Sequence, residues 1–144
     1  MTTLSKTWDS RINAGGYRLT APRRVIVEII SASDQALTPA EIFIEARSRC
    51  KGIGLVTVYR TMEKLAELGL VERVHHENNC HSYIAHRDGH KHLLICKHCK
   101  KTKYFSGDDL SGLMDSIGKS SGFQIQDHWL QLNGICPDCQ KKEG

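Results

Sequence analysis

Apolar positions in the first half of the chain recur at helical spacing. Leu4, Trp8 and Ile12 fall four apart and predict a short opening helix over residues 4–14, ended by Gly15-Gly16. Val25, Ile26, Ile29 and Ile30 form the stripe of a second helix running to about Ala32, with Thr20 at its N-cap and Pro22 in its first turn. Thr38-Pro39-Ala40-Glu41 reads as a capping box, and the helix it opens turns Ile42, Phe43 and Ala46 inward. Lys51-Gly52-Ile53-Gly54 breaks that helix. The next one starts near Leu55 and runs to Glu67, with Val58, Met62 and Leu65 on one side, Thr57, Arg60 and Lys64 on another, and Gly69 as its stop.

The period then shortens. Residues 71–74 and 82–85 predict two strands around a turn at Glu77-Asn78-Asn79. Three core helices followed by a hairpin are the winged version of the helix-turn-helix; the same pattern also fits any small helical domain with a hairpin appended. Residues 86–91 form a polar connector and hinge. Beyond it, residues 93–95 and 102–105 predict two strands, and 108–121 a helix that turns Leu110, Leu113, Met114 and Ile117 inward. The alternating stretch 123–132 predicts a third strand. The fold class is α+β: a winged helix-turn-helix domain over residues 1–85, the hinge, and a small α/β domain over 92–144.

Six cysteines in 144 residues change this picture. Four of them form two knuckles, Cys96-Lys97-His98-Cys99 and Cys136-Pro137-Asp138-Cys139. A two-residue spacer lets one tight turn aim both sulfurs of a pair at one ion, and two such turns complete a tetrahedron suited to structural zinc. Four buried thiols or a redox pair are the competing readings. No apolar run approaches the roughly 18 residues of a membrane span, and residues 1–6 lack the apolar core of a signal peptide. The expectation is a soluble cytoplasmic protein without membrane partner, a compartment in which paired cysteines hold metal more often than disulfides. The net charge of +4 is compatible with nucleic acid but does not single it out. A looser cluster, Cys80-His81, His86, His90 and His92, precedes the first knuckle. His90 and His92 alternate along an extended segment and so share a face, where two imidazoles can chelate one ion. Isolated histidines of this kind are otherwise solvated loop residues.

The chain resembles the ferric uptake regulator family, the dimeric metal-sensing bacterial repressors. The resemblance rests on residues 16–23 (Gly-Tyr-Arg-Leu-Thr-Ala-Pro-Arg), 37–43 (Leu-Thr-Pro-Ala-Glu-Ile-Phe), 54–61 (Gly-Leu-Val-Thr-Val-Tyr-Arg-Thr) and 90–99 (His-Lys-His-Leu-Leu-Ile-Cys-Lys-His-Cys), then His128 and the second knuckle. It implies a winged-helix DNA-binding domain, a hinge, and a C-terminal dimerisation domain that carries metals. By resemblance, Tyr59 and Arg60 are DNA-contacting positions and Arg18 and Arg23 are basic positions that reach phosphates or the minor groove. Thr57 shares the polar face of the same helix. Arg60 can donate to guanine and Tyr59 can pack on a thymine methyl.

Departures from the family bear on the metal. Where its iron and manganese sensors place a histidine before the capping box, this chain has Ala36; where they use a carboxylate after the first knuckle, it has Tyr104. Cys80 brings a soft thiolate instead, which favours zinc over ferrous iron. Four positions rather than three separate His92 from Cys96, so the register of the histidines is open. His128, with Asp108 or Asp109, matches the family's additional site, and His75 and His76 compete as ligands. The expected regulatory set is Cys80, His81, His86, His90, His92 and His128, with an ion that bridges wing, hinge and second domain.

The reading is a zinc-responsive repressor, similar to the zinc uptake regulators. A homodimer would bind a palindromic, A·T-rich double-stranded operator and control zinc-uptake genes. An iron- or manganese-responsive regulator is the alternative. A zinc-dependent hydrolase is a distant third, because no glutamate has the H-E-x-x-H spacing of a general base. No catalytic residue or small-molecule substrate is expected.

Overall fold

The structure is a computed structural model that describes residues 3–76, 80–87, 91–106 and 110–143. The side chain of Leu4, the turn expected at 77–79, part of the expected hinge, His90, Asp108 and Asp109 lie outside the described residues. The chain divides into two compact units, Met1–His86 and Arg87–Gly144.

The first unit is four helices and a hairpin: α1 (Thr3–Ala14), α2 (Ala21–Ala32), α3 (Pro39–Arg49), α4 (Leu55–Glu67), β1 (Val71–His75) and β2 (His81–Ala85). The capping box forms as read. The Thr38 N–H donates to Glu41 Oε1 at 3.0 Å and the Glu41 N–H donates to Thr38 Oγ1 at 3.1 Å. Thr20 occupies the N-cap of α2 but its side chain makes no capping bond; Pro22 in the first turn sets that start instead. Gly69 follows α4 with φ of 72°, a left-handed conformation that a residue without Cβ adopts at little cost.

These local signals set which faces meet. Trp8 and Ile12 of α1, Ile26 and Ile30 of α2, Ile42 and Ala46 of α3, and Val58, Met62 and Leu65 of α4 are all buried. Val27 and Ile53 join this core, while Val25 and Phe43 are half-buried against it. The hairpin closes it. β1 and β2 pair antiparallel from Val71↔Ala85 to His75↔His81, and Tyr83 also bridges Leu37 ahead of α3. With one side of α4 locked into the core, its other side is left in solvent.

The second unit is β3 (Lys91–Cys96), β4 (Thr102–Ser106), α5 (Ser111–Ser121), β5 (Gln131–Gly134) and α6 (Pro137–Glu143). The sheet order is β4-β3-β5. β3 pairs antiparallel with β4 and parallel with β5, with α5 in the crossover between β3's hairpin and β5. Two sequence expectations fail here. The strand expected over 123–132 is confined to Gln131–Gly134. The apolar alternation before it is a surface feature rather than a sheet signal, since Phe123 is 74% and Trp129 57% exposed. Nor does α5 turn its apolar face inward: none of its residues is buried, and Leu113 and Ile117 are exposed. The three short strands bury Leu93, Ile95 and Thr102, while α5 adds no fully buried residue to that core. Finally, α6 was not expected; Pro137 and Asp138 of the second knuckle form its first turn.

Leu65→Ala should lower the stability of the first unit by about 2–5 kcal/mol. Ile44→Ala, at a position 65% exposed, should change it by no more than about 0.5 kcal/mol. Urea unfolding followed by circular dichroism checks both, and equal losses would contradict this packing.

Candidate metal centre and nucleic-acid interface

The two knuckles follow the C-terminal ends of β3 and β5. Cys96 is the last residue of β3, and the turn to β4 carries Cys99; Cys136 follows β5, and Cys139 sits in α6. Because β3 and β5 are parallel neighbours ending at Cys96↔Gly134, their C-terminal ends bring both knuckles together. The backbone ties them further: the Lys97 N–H donates to the Gly134 carbonyl at 2.8 Å, and the Cys136 N–H to Cys96 Sγ at 3.4 Å.

The four sulfurs lie within 4.8 Å of one another. The close pairs run across the knuckles: Cys96–Cys139 and Cys99–Cys136 are each 3.7 Å apart, Sγ to Sγ. A tetrahedral ion with about 2.3 Å metal–sulfur bonds has S–S edges of about 3.8 Å. A disulfide needs about 2.05 Å, and all four cysteines are free. The donor set therefore fits a closed metal site. Its electrostatics point the same way. Backbone N–H groups, first that of Cys136 and then that of Cys99, hold the Cys96 thiol down to about 5. The neighbouring Cys136 thiol and burial push Cys139 up to about 12. Crowded sulfurs share protons unevenly, and a dication removes the conflict by accepting all four as thiolates.

The remaining expected ligands divide between the two units. In the second unit, His92 is buried, and its ring lies 5.4 Å from that of His128 and 5.6 Å from that of Phe105, its direct partner on β4. His92 and His128 are thus brought together. In the first unit, His81 stands beside His75, His86 Nδ1 lies 3.1 Å from Glu72 Oε1, and Cys80 is exposed ahead of β2.

The expected DNA-facing residues lie on the open side of the helical unit. Tyr59 and Arg60 are exposed on α4 and Thr57 is half-buried, its carbonyl accepting from Thr61 Oγ1 at 2.7 Å. Arg18 is exposed. The Arg23 guanidinium donates to the Arg18 carbonyl at 2.8 Å and sits 4.5 Å over the Tyr17 ring, which holds a long cationic side chain in place before any ligand arrives. Sequence reasoning missed Leu55 and Val56, 42% and 61% exposed at the start of α4. Val56 lies outside the stripe of Val58, Met62 and Leu65, which was the available signal, whereas Leu55 falls at its helical spacing, three before Val58 and seven before Met62. Apolar groups there suit contact with thymine methyls.

The ferric uptake regulator family model matches residues 14–133. The ferric uptake regulation protein of Campylobacter jejuni is 30% identical over 135 residues, covering 92% of this chain and 85% of that protein. The zinc uptake regulation protein of Mycobacterium tuberculosis is 30% identical over 129 residues, covering 90% and 99%. A solved zinc uptake regulator complexed with zinc and DNA shares the fold, with a TM-score of 0.73 and 22% identity over 99% of both chains.

Cys99→Ser and Cys136→Ser should each release one tightly held metal ion per protomer, with loss of most of the roughly 10 kcal/mol that such a site contributes. Cys50→Ser, outside the cluster, should release none. Elemental analysis of the purified variants reads the difference, and full metal retention in either knuckle variant would contradict the site.

Proposed function

The chain belongs to the ferric uptake regulator family, a family of metal-responsive regulators rather than enzymes, and on that premise we propose that it is a zinc-responsive repressor. It binds operator DNA as a homodimer through α4 and the Arg18–Arg23 region, with the cysteine cluster as structural zinc and a second, exchangeable ion as the signal. The observation that carries zinc over iron is the surroundings of His92. The ring of Phe105, not a carboxylate, faces it from β4, and its near neighbour is the imidazole of His128. Imidazole donors suit zinc, and the aromatic partner on β4 stands where a harder cation such as manganese or ferrous iron would draw on carboxylate oxygen. The iron-responsive reading keeps one support, that a ferric regulator is as similar in sequence as a zinc regulator.

The dimer is supported by what the second unit leaves exposed. Leu113, Ile117, Phe123, Ile125, Trp129 and Leu132 are all open to solvent in the single chain. β5 is also an edge strand of its sheet. Apolar surface of that extent is covered in a stable protein, and a second copy offers the same face in return. A two-fold dimer then reads two half-sites of a palindrome. An ion that prefers the DNA-competent arrangement shifts the population toward it, which converts zinc level into occupancy of the operator. Work on an operator places the protein in the cytoplasm, and no described helix is long and apolar enough to cross a membrane.

Operator binding under buffered zinc tests the function: affinity should rise with zinc and the rise should vanish in His92→Ala. Rescue by Fe²⁺ or Mn²⁺ but not by trace zinc would move the protein to the alternative metal. Arg60→Ala should cost about 1–3 kcal/mol on the operator and much less on random DNA; equal losses would mean that Arg60 reads no base. Trp129→Ala should weaken dimerisation by about 2 kcal/mol or more, as measured by sedimentation equilibrium, and an unchanged dimer constant would contradict the assigned face.

A further inference from the structure

The hairpin of the first unit carries a pair of histidines that neither the cysteine cluster nor the His92–His128 pair uses. His75 ends β1 and His81 begins β2, and the two are direct partners in the antiparallel register. Partners in such a pair project from the same face of the sheet. Both are exposed, and their ring centres are 4.9 Å apart with planes at 81°. Two imidazoles that bind one ion through about 2.0–2.1 Å metal–nitrogen bonds at tetrahedral to right angles have ring centres about 4.5–5.2 Å apart. The observed spacing falls inside that window before any ion is present.

We infer that His75 and His81 form a metal site of their own on the wing, a two-imidazole chelate for a divalent transition cation such as zinc, nickel or copper. The strand pairing holds both backbones, so little ordering is left for the ion to impose. Both ligands are exposed, which makes this an open, exchangeable site in contrast to the closed four-sulfur one. Imidazole donors select against calcium and magnesium, which take oxygen ligands. One neighbour opposes the ion. Arg73 lies two residues before His75 on the same strand, but its guanidinium is drawn 5.7 Å over the Tyr83 ring, and at this surface its charge is screened by salt.

Long-range ¹H–¹⁵N spectra of the histidine rings test the site on the full chain with its cysteine cluster loaded and Zn²⁺ added in steps. The rings of His75 and His81 should shift together along one saturation curve. His75→Ala and His81→Ala should each weaken Zn²⁺ binding at the surviving ring by at least tenfold, and the double variant should lose no further ion than either single one. Neither ring moving at millimolar Zn²⁺ would overturn the site. So would an undiminished response of His81 in His75→Ala. Because the readout is specific to these two rings, it stands apart from whether His92 and His128 bind metal.

Discussion

Two parallel strand ends meeting at four sulfurs is the constraint on which the second unit depends. β3 and β5 end side by side, and the turns that follow cross their cysteines, so that each short S–S contact joins one knuckle to the other. An ion there ties the first strand of the unit to its last helix. Among the described residues few fully buried apolar side chains lie elsewhere in the unit, chiefly Leu93 and Ile95. A core of that size does not outweigh chain entropy unaided, and metal affinity becomes folding free energy. The first unit stands in contrast. Its four helices interlock large aliphatic residues at near-zero exposure and need no staple.

The same economy explains the apolar surface. A sheet of three short strands cannot cover both α5 and the segment between residues 122 and 130, so their leucines, isoleucines and aromatics remain outside the protomer's core. In the proposed dimer that surface becomes the second core. In that proposal a metal that orders the sheet would also order the dimer face. Sensing needs a different kind of site, one whose ion can leave. Imidazole pairs supply that, while the closed thiolate cluster does not.

Much of the first unit was legible because its signals are local. A capping box, a proline in a first turn and a glycine at φ of 72° mark helix ends regardless of tertiary context. The paired knuckles were legible for a related reason: two C-x-x-C turns leave few geometries for four sulfurs. What failed needed knowledge of neighbours. Phe123, Ile125 and Trp129 alternate as a strand would, yet among the described residues none of the three is paired in a strand. Leu113 and Ile117 carry helical spacing, which shows that a face is apolar but not whether this chain or another covers it. The pairing of His75 with His81 depends on hairpin register, and the contact of His92 with Phe105 and His128 on the register of β3.

Hydrogen exchange measured amide by amide, before and after a chelator removes the cluster metal, tests the central claim most directly. Protection in β3, β4 and β5 should collapse while the amides of α2 and α4 keep theirs. Equal protection of the sheet in both states would mean that the four sulfurs are decoration and that the small core holds itself.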